Sequence, residues 1–272
     1  MQGGAMAAKL ITSTANPLIK EAKKLWERRY REKTKLFLIE GYRELSYALK
    51  RKYPLRTLLI CPELFLGVNE PALIQDALQK GAQIVECSEV IFRSFSYRDR
   101  PDGLLAIAHQ APLLLKDLPR TSNPFFVIAE AIEKPGNLGT ILRSSDAVGV
   151  DGVVVCDRCT DIYNPNVVRA SVGTLFTVPV VEAKGDEVMQ WLREQGIQIV
   201  AATPSAKKLF TEVDLTQKVA IIVGTEQVGL SSKWLDEADL QVKIPMQGTA
   251  DSLNVATATT LLLYEVLRQR AC

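Results

Sequence analysis

Apolar and polar residues alternate in two series of short apolar runs and amphipathic segments. The first series begins with a predicted helix from about Pro17, with Asn16 as its N-cap, and continues through strands and helices to an apolar strand at 104–108. The second series begins at Pro124 and contains near-continuous apolar strands such as FFVIA, GVVV and VAIIV. Such strands are typical of a parallel sheet that is covered on both faces, and these sheets bind ligands at the carboxyl ends of their strands.

The segment between the two series, residues 110–124, contains three prolines and little periodicity. It predicts a domain boundary near Arg120. A smaller α/β domain is then expected over residues 1–119, and a larger α/β domain with a parallel sheet over residues 120–272. A length of 272 residues fits two domains of ordinary size.

Composition and residue counts exclude several classes of protein. Apolar residues make up 47% and charged residues 24% of the chain, which is typical of a globular protein. No run of about 18 uncharged apolar residues occurs and the first ten residues lack a secretion signal, so we expect a cytoplasmic protein with no membrane partner. His109 is the only histidine, which excludes a multi-histidine metal site. Five cysteines are an odd number that favours reduced thiols, and Cys156 and Cys159 lack a second pair, so no metal site is expected.

A strongly basic segment lies between Pro17 and Lys52. It contains twelve Lys and Arg against five Glu, a local net charge of +7, whereas the rest of the chain carries −5. Such a segment either binds a polyphosphate such as RNA or forms a solvated helix face, and charge alone leaves both open. Trp26 and Tyr30 lie four residues apart within it, where they stack on bases or form the buried stripe of the helix. The RNA-binding candidates of this segment are Lys20, Lys23, Lys24, Arg28, Arg29 and Arg31.

Three loops that follow predicted strands have unusual compositions. They begin at Glu133, Gly224 and Ile244 and read EKPGNLGTILR, GTEQVGLS and IPMQGTADSLN. Their notable polar side chains are Asn137, Arg143, Glu226, Ser252 and Asn254. A purely structural interpretation exists for each loop, with glycines in tight turns, Asn137 and Ser252 as helix caps and Glu226 as an exposed acid. Three such loops on one sheet together favour a binding site, and the absence of GxGxxG and GxxxxGK[ST] excludes the usual dinucleotide and Walker phosphate sites.

The three loops closely resemble the signature motifs of the SpoU (TrmH) family of RNA ribose 2′-O-methyltransferases, within the SPOUT superfamily. The patterns NxGxxxR, GxExxGLS and IPMxGxxxSLNVAxA are matched by residues 137–143, 224–231 and 244–258, in the same order. Residues 15–45 are similar to the family's N-terminal RNA-binding domain, which resembles certain ribosomal proteins.

This resemblance implies a deep trefoil knot in the C-terminal domain, S-adenosylmethionine as the cofactor and a homodimer that forms through the knotted domain. The implied cofactor ligands are Thr203, Gly224, Glu226, Ile244, Met246 and Leu253. The implied catalytic residues are Asn137, Arg143, Glu226, Ser252 and Asn254. Arg169 lies in another recurrent stretch of the family and joins the RNA-binding candidates.

We therefore expect methyl transfer from S-adenosylmethionine to a ribose 2′-hydroxyl of structured RNA, with ribosomal RNA as the expected substrate. The alternatives are a tRNA ribose methyltransferase, a base methyltransferase of the same superfamily and a catalytically silent RNA-binding ribosome factor. Because a guanidinium stays protonated, Arg143 is expected to bind phosphate and stabilise alkoxide charge, and the sequence leaves the proton acceptor open.

Overall fold

The computed structural model of the protein describes residues 10–157, 160–225 and 227–271. These residues form two compact units. One consists of the described chain up to Ala111 together with Tyr163–Phe176, and the other consists of Pro112–Ile162 together with the chain from Thr177 onwards. Within the described ranges, no helix combines the length and the apolar character that crossing a membrane requires.

The observed elements follow the two predicted series closely. The strands are β1 Leu36–Glu40, β2 Leu55–Ile60, β3 Gln83–Glu86, β4 Leu104–His109, β5 Phe125–Glu130, β6 Gly152–Cys156, β7 Val180–Ala183, β8 Gln198–Ala202, β9 Lys208–Leu209, β10 Val219–Val223 and β11 Leu240–Lys243. The helices are α1 Pro17–Lys24, α2 Arg28–Thr34, α3 Tyr42–Lys50, α4 Glu70–Gln79, α5 Glu89–Phe95, α6 Pro135–Val148, α7 Pro165–Ser171, α8 Gly185–Glu194, α9 Ser232–Glu237 and α10 Val255–Ala271.

The first unit is built on a mixed four-stranded sheet in the order β1-β4-β2-β3. Strand β4 runs antiparallel to β1 and β2, whereas β2 and β3 are parallel. Helices α1 and α5 bury Ile19, Phe92 and Phe95 in the apolar core of this unit. Helix α1 starts as predicted, because the Oδ1 of Asn16 accepts a hydrogen bond from the N–H of Leu18 at 2.9 Å.

The segment Tyr163–Phe176, which contains α7, supplies aromatic side chains to the core of the first unit. The ring of Tyr163 lies 4.7 Å from that of Phe37 on β1, and the ring of Phe176 lies 5.0 Å from that of Tyr53. Tyr163 and Phe176 are only 5% and 7% exposed. The segment is therefore an integral part of the first unit, although it lies between β6 and β7 in sequence.

This division of the chain differs from the predicted boundary near Arg120. The contacts assign residues 112–119 to the second unit and Tyr163–Phe176 to the first. A proline-rich segment marks a change in local pattern, whereas the packing of Tyr163 on Phe37 is a long-range contact that no local pattern encodes.

The second unit contains a seven-stranded parallel sheet in the order β7-β6-β5-β10-β8-β11-β9. Alternate side chains of β5 lie on opposite faces of the sheet. Phe126 and Ile128 join Leu192 of α8 in one core, and Val127 between them is fully buried as well. Helices α6 and α10 pack against each other and against the sheet. The predicted α/β fold with a covered parallel sheet is confirmed, and the trefoil knot stays a prediction.

Two strands differ from the sequence prediction. The strand predicted over residues 177–181 lies at Val180–Ala183, because Pro179 has no N–H to offer to the ladder. Strand β9 lies in the polar interval after β8 and pairs with β11. Two residues are too short a run to show any periodicity.

Candidate active site at the carboxyl edge of the parallel sheet

The unusual loops begin at neighbouring strands of the parallel sheet. Strands β5, β10, β8 and β11 are adjacent in that order and run in the same direction. The loops after β5, β10 and β11 therefore meet at one edge, together with Thr203, which follows β8. The N–H of Thr203 donates to the carbonyl of Val242 at 2.9 Å and ties this chain segment to β11.

Asn137 and Asn254, from the first and third loops, are joined by a side-chain hydrogen bond. The Nδ2 of Asn254 donates to the Oδ1 of Asn137 at 3.1 Å. The Oδ1 of Asn254 accepts from the N–H groups of Ala256 at 3.0 Å and Thr257 at 3.3 Å, so Asn254 caps α10. One side chain therefore both starts α10 and holds the first motif against the third.

The interpretation of Asn137 and Ser252 as helix caps is wrong. Helix α6 begins after Lys134, which provides no side-chain cap, and Asn137 already lies in its first turn. Ser252 is exposed in the loop two residues before Asn254, which is the residue that caps α10. Neither Asn137 nor Ser252 is used to start a helix.

Arg143 lies on α6 with its side chain exposed. Within the described residues, no hydrogen bond or ion pair engages its guanidinium. The next residue, Ser144, shares a hydrogen bond of 2.6 Å with Thr260 of α10, which fixes the face of α6 that turns toward α10. The structure thus holds the backbone of Arg143 firmly and leaves its charge open to an anion.

The second loop forms a tight turn around two glycines. Thr225 and Gly229 exchange backbone hydrogen bonds of 3.1 and 3.0 Å, and Gly229 has a φ of +71°. A Cβ at Gly224 would lie 2.3 Å from the carbonyl oxygen of Gly229, so only glycine fits there. Glu226, predicted as both a catalytic and a cofactor-binding residue, lies outside the described residues.

The third loop presents apolar side chains that are only half covered. Ile244, Met246 and Leu253 are partly exposed, whereas Val242 of β11, the strand that precedes this loop, is fully buried. Half-exposed apolar side chains at the end of a parallel sheet are typical of the lining of a ligand site.

Five of the six basic candidates of the N-terminal helices are exposed. They are Lys20, Lys23, Lys24, Arg28 and Arg29. Trp26, between α1 and α2, is 45% exposed and meets the ring of Tyr97 edge-on at 6.0 Å, while Tyr30 packs against the apolar core. We call these five cations and Trp26 the basic surface. Arg169 is exposed on α7 and is therefore carried by the same unit.

The prediction that Arg31 binds RNA is wrong. Arg31 is 1% exposed, and its guanidinium donates to the carbonyl oxygens of Leu25 at 2.9 Å and Trp26 at 2.7 Å. These carbonyls lie where the chain leaves α1, so Arg31 holds the junction between α1 and α2 and does not reach a phosphate. A count of charges along the sequence cannot distinguish an inward-facing cation from an outward-facing one.

The described cysteines are unsuited to nucleophilic chemistry. Burial raises the pKa of Cys61 and of Cys87 to about 12, and it raises the pKa of Cys156 as well. No group of three or more His, Cys, Asp or Glu among the described residues is arranged to hold a metal ion. Cys159 lies outside the described residues.

Sequence reasoning missed Glu130. This residue ends β5, is 8% exposed, and accepts a hydrogen bond from the N–H of Ser231, the last residue of the second loop. The available signal was an acidic residue at the end of the otherwise apolar run FFVIAE.

Fold and site together define an α/β protein with a candidate ligand site at the carboxyl edge of a parallel sheet and a second unit that carries the basic surface. The SpoU rRNA methylase family model matches residues 124–264, and the model of an MRM3-like substrate binding domain matches residues 16–106. The chain belongs to the SpoU rRNA methylase family.

Relatives and solved structures match nearly the whole chain. The chain is 30% identical to the 23S rRNA guanosine 2′-O-methyltransferase RlmP of Bacillus subtilis, over 95% of this chain and 99% of the relative. It is 32% identical to a 23S rRNA uridine 2′-O-methyltransferase of Streptomyces viridochromogenes, over 97% of this chain and 93% of the relative. The AdoMet-bound rRNA methyltransferase of Sinorhizobium meliloti is similar in structure, with a TM-score of 0.88 at 30% identity over 96% of this chain and 98% of that one.

Proposed function

We propose that the protein transfers a methyl group from S-adenosylmethionine to a ribose 2′-hydroxyl of ribosomal RNA. The observation that carries this proposal is the Asn137–Asn254 hydrogen bond, which joins two of three converging loops in a chain of this family. The two relatives named for 23S rRNA modify a guanosine and a uridine at the same ribose oxygen. An active site that binds the ribose, while other contacts select the base, accounts for both of these substrates. A ribosomal RNA substrate also fits the expected cytoplasmic location.

The residues at the sheet edge fit S-adenosylmethionine. Ile244, Met246 and Leu253 would offer partly exposed apolar surface to the adenine ring. Gly224 would contribute through the tight turn of the second loop, which has no room for a side chain at that position. Thr203 and Glu226 complete the proposed binding set. When bound, the cofactor supplies an electrophilic methyl group on a sulfonium sulfur.

The polar residues of the loops would then act on the ribose and its phosphate. A ribose hydroxyl is a weak nucleophile, so orientation and charge stabilisation carry much of the catalysis. Asn137 and Asn254, held against each other, orient the sugar with Ser252. Arg143 binds the neighbouring phosphate and stabilises negative charge on the 2′-oxygen. A guanidinium cation has no lone pair that accepts a proton, so the proton passes to another group, such as a phosphate oxygen or water.

A test of the cofactor site uses calorimetric titration of the full chain with S-adenosylmethionine. Leu253→Asp should weaken binding at least about tenfold, because an unpaired charge then faces the apolar part of the site. Leu114→Asp, at a position of the same unit that is 55% exposed, is the matched control and should leave the affinity unchanged. Absence of any binding by the unchanged protein would contradict the proposal.

A test of the reaction maps ribose methylation by mass spectrometry in ribosomal RNA from cells with and without this protein. One nucleotide should lose its 2′-O-methyl group when the protein is absent and regain it with the purified protein and cofactor. A catalytically silent ribosome factor would bind the RNA and change no methylation. Loss of a methyl group in tRNA alone would show that the protein is a tRNA ribose methyltransferase.

We further propose that the basic surface and Arg169 contact RNA, as expected for the predicted N-terminal domain. Reversing the exposed Lys23, Lys24 and Arg29 to Glu should weaken RNA binding and flatten its salt dependence, since fewer counterions are released. The matched control reverses the exposed Lys207, Lys208 and Lys218 of the second unit. Equal losses from both triple variants would show that only overall charge matters.

We also propose a homodimer that forms through α10. Leu261, Tyr264 and Leu267 are 41%, 49% and 38% exposed and lie three residues apart, so they form an apolar stripe along the helix. A second copy of the chain covers such a stripe without any other partner. Leu261→Asp with Tyr264→Asp should yield a monomer in analytical ultracentrifugation. A dimer that survives both changes would place the interface elsewhere.

A further inference from the structure

Glu130 stands at the end of β5, just above an apolar core. Phe126 and Ile128 belong to the core that also contains Leu230 and Trp234. Because side chains alternate along a strand, Glu130 shares their face of the sheet. It is 8% exposed, and its Oε2 accepts a hydrogen bond from the N–H of Ser231 at 2.9 Å.

This carboxylate lies beside both ends of the second loop. Val223 of β10 pairs with Ala129 of β5, so Gly224, where the loop begins, is next to Glu130 in the register. The loop then turns back through the paired Thr225 and Gly229, and its exit at Ser231 is the residue that Glu130 binds. The side chain of Glu130 therefore lies beside the first residue of the second loop and forms a hydrogen bond with its last residue.

The backbone after Glu130 is in an unfavourable conformation. Ala131 has a φ of +52°, in the left-handed region that non-glycine residues rarely adopt. Its N–H donates to the carbonyl of Cys156 at 2.9 Å, which holds the turn at the sheet edge. Strained residues of this kind concentrate at functional sites, where the surrounding structure fixes them.

Water can reach the carboxylate from one side. Glu130 lines a polar pocket of about 240 Å³ together with Asp157, Lys184 and Ser231. Water in such a pocket can hydrogen-bond to Ser231 when the carboxylate is removed. Replacement of Glu130 is therefore expected to release the loop without unfolding the sheet.

We propose that Glu130 is a positioning residue that holds the second loop in the shape that presents Gly224 to the cofactor. The inference rests on the proposed cofactor site, since it concerns the loop that carries Gly224. Glu130 itself faces the core that contains α8, and it acts through the N–H of Ser231.

The test compares Glu130→Ala, Glu130→Gln and Asp151→Ala in the full chain. Asp151 is the matched control, because its Oδ2 accepts a hydrogen bond from the N–H of Phe125 at 2.7 Å at the opposite end of the same strand. Glu130→Ala should weaken S-adenosylmethionine binding about tenfold, the scale of one charge-assisted hydrogen bond, raise the KM for the cofactor and leave kcat within about threefold. Glu130→Gln keeps an acceptor for Ser231 and should stay within about threefold of the unchanged protein. Asp151→Ala should leave the cofactor KM unchanged.

Equal affinities of Glu130→Ala and the unchanged protein would overturn this inference and leave the proposed function standing. A similar rise in KM for Asp151→Ala would also overturn it, because general loosening of β5 would then be the cause. No binding by the unchanged protein would overturn the proposed function and this inference together. Should Glu130→Ala not fold, Ser231→Pro removes the same hydrogen bond at a φ of −61° that proline accepts, and an unchanged affinity there would overturn the inference.

Discussion

At the scale of single residues, Arg143 is the side chain on which the proposed chemistry depends most. It is exposed on a helix whose neighbouring face is fixed by Ser144 and Thr260, so it presents a charge without contributing to the core. Arg143→Ala should lower turnover at least about a hundredfold and leave cofactor affinity unchanged, as expected for the loss of a charge-stabilising donor. Arg143→Lys should restore little, because an ammonium lacks the planar fork that bridges a phosphate and a hydroxyl.

Single-turnover methylation of a ribosomal RNA fragment measures the effect of Arg143 directly. Mixing Arg143→Ala protomers with Leu253→Asp protomers adds a second result. Activity in the mixture means that one site takes Leu253 from one protomer of the proposed dimer and Arg143 from its partner, and no activity means that both residues of a site come from the same protomer. Near-normal methylation by Arg143→Ala would contradict the mechanism even in a member of this family.

Glu40 sets a pH dependence in the first unit. Burial raises its pKa above the ordinary value of 4.5, although Ser96, the N–H of Tyr97 and Arg98 favour the charged form. A raised pKa in the folded state means that Glu40 contributes stability below its ordinary pKa and loses it as the pH rises through the folded value. Burial also raises the pKa of Glu44.

We therefore expect the free energy of unfolding of the first unit to fall as the pH rises above about 4.5. Glu40→Gln cannot ionise, so this variant should show a shallower dependence. Urea unfolding followed by circular dichroism at several pH values measures the slope. An identical slope in the variant would contradict the assignment to Glu40.

At the scale of elements, the turn after β10 depends on the absence of a side chain at Gly224. A Cβ there would meet backbone atoms of Gly229 at 2.3 and 2.4 Å, and backbone cannot move aside without opening the turn. Gly224→Ala should lower cofactor affinity at least about tenfold, with a loss of about 1–3 kcal/mol in the free energy of unfolding. Gly136→Ala is the control, because a Cβ at Gly136 in α6 meets no atom within 4 Å. Calorimetry measures the cofactor affinity of both variants, and urea unfolding measures their free energy of unfolding. An unchanged affinity in Gly224→Ala would exclude this loop from the cofactor site.

At the scale of the whole molecule, the chain crosses from the second unit to the first and back between β6 and β7. Tyr163 packs on Phe37 and shares a side-chain hydrogen bond with Tyr53. The first unit is therefore incomplete when the chain is cut at residue 111, and an isolated N-terminal fragment lacks part of its core. Arg169 is carried on the same segment, so the RNA contact that we propose for α7 would be made by the same unit as the basic surface.

Removal of the Tyr163 ring tests this organisation. Tyr163→Ala should destabilise the first unit by about 3 kcal/mol and accelerate hydrogen exchange in β1, while β5 and β10 keep their protection. Tyr163→Phe keeps the ring, loses only the hydroxyl contact and should cost about 1 kcal/mol. Unchanged exchange in β1 of the alanine variant would show that Tyr163–Phe176 is not part of that core.

The sequence alone determined the α/β class, the parallel sheet and the three loops, because apolar runs, glycines and polar motifs are local features. Only the tertiary structure decided which neighbours these features meet. It turned Arg31 inward onto the carbonyls of Leu25 and Trp26, and it made Asn254 the cap of α10 and the partner of Asn137. It also placed Tyr163–Phe176 in the first unit and Glu130 beside both ends of the second loop. Each of these features depends on contacts between residues far apart in the chain or on the direction of one side chain. Local periodicity encodes neither the long-range contacts nor the side-chain direction.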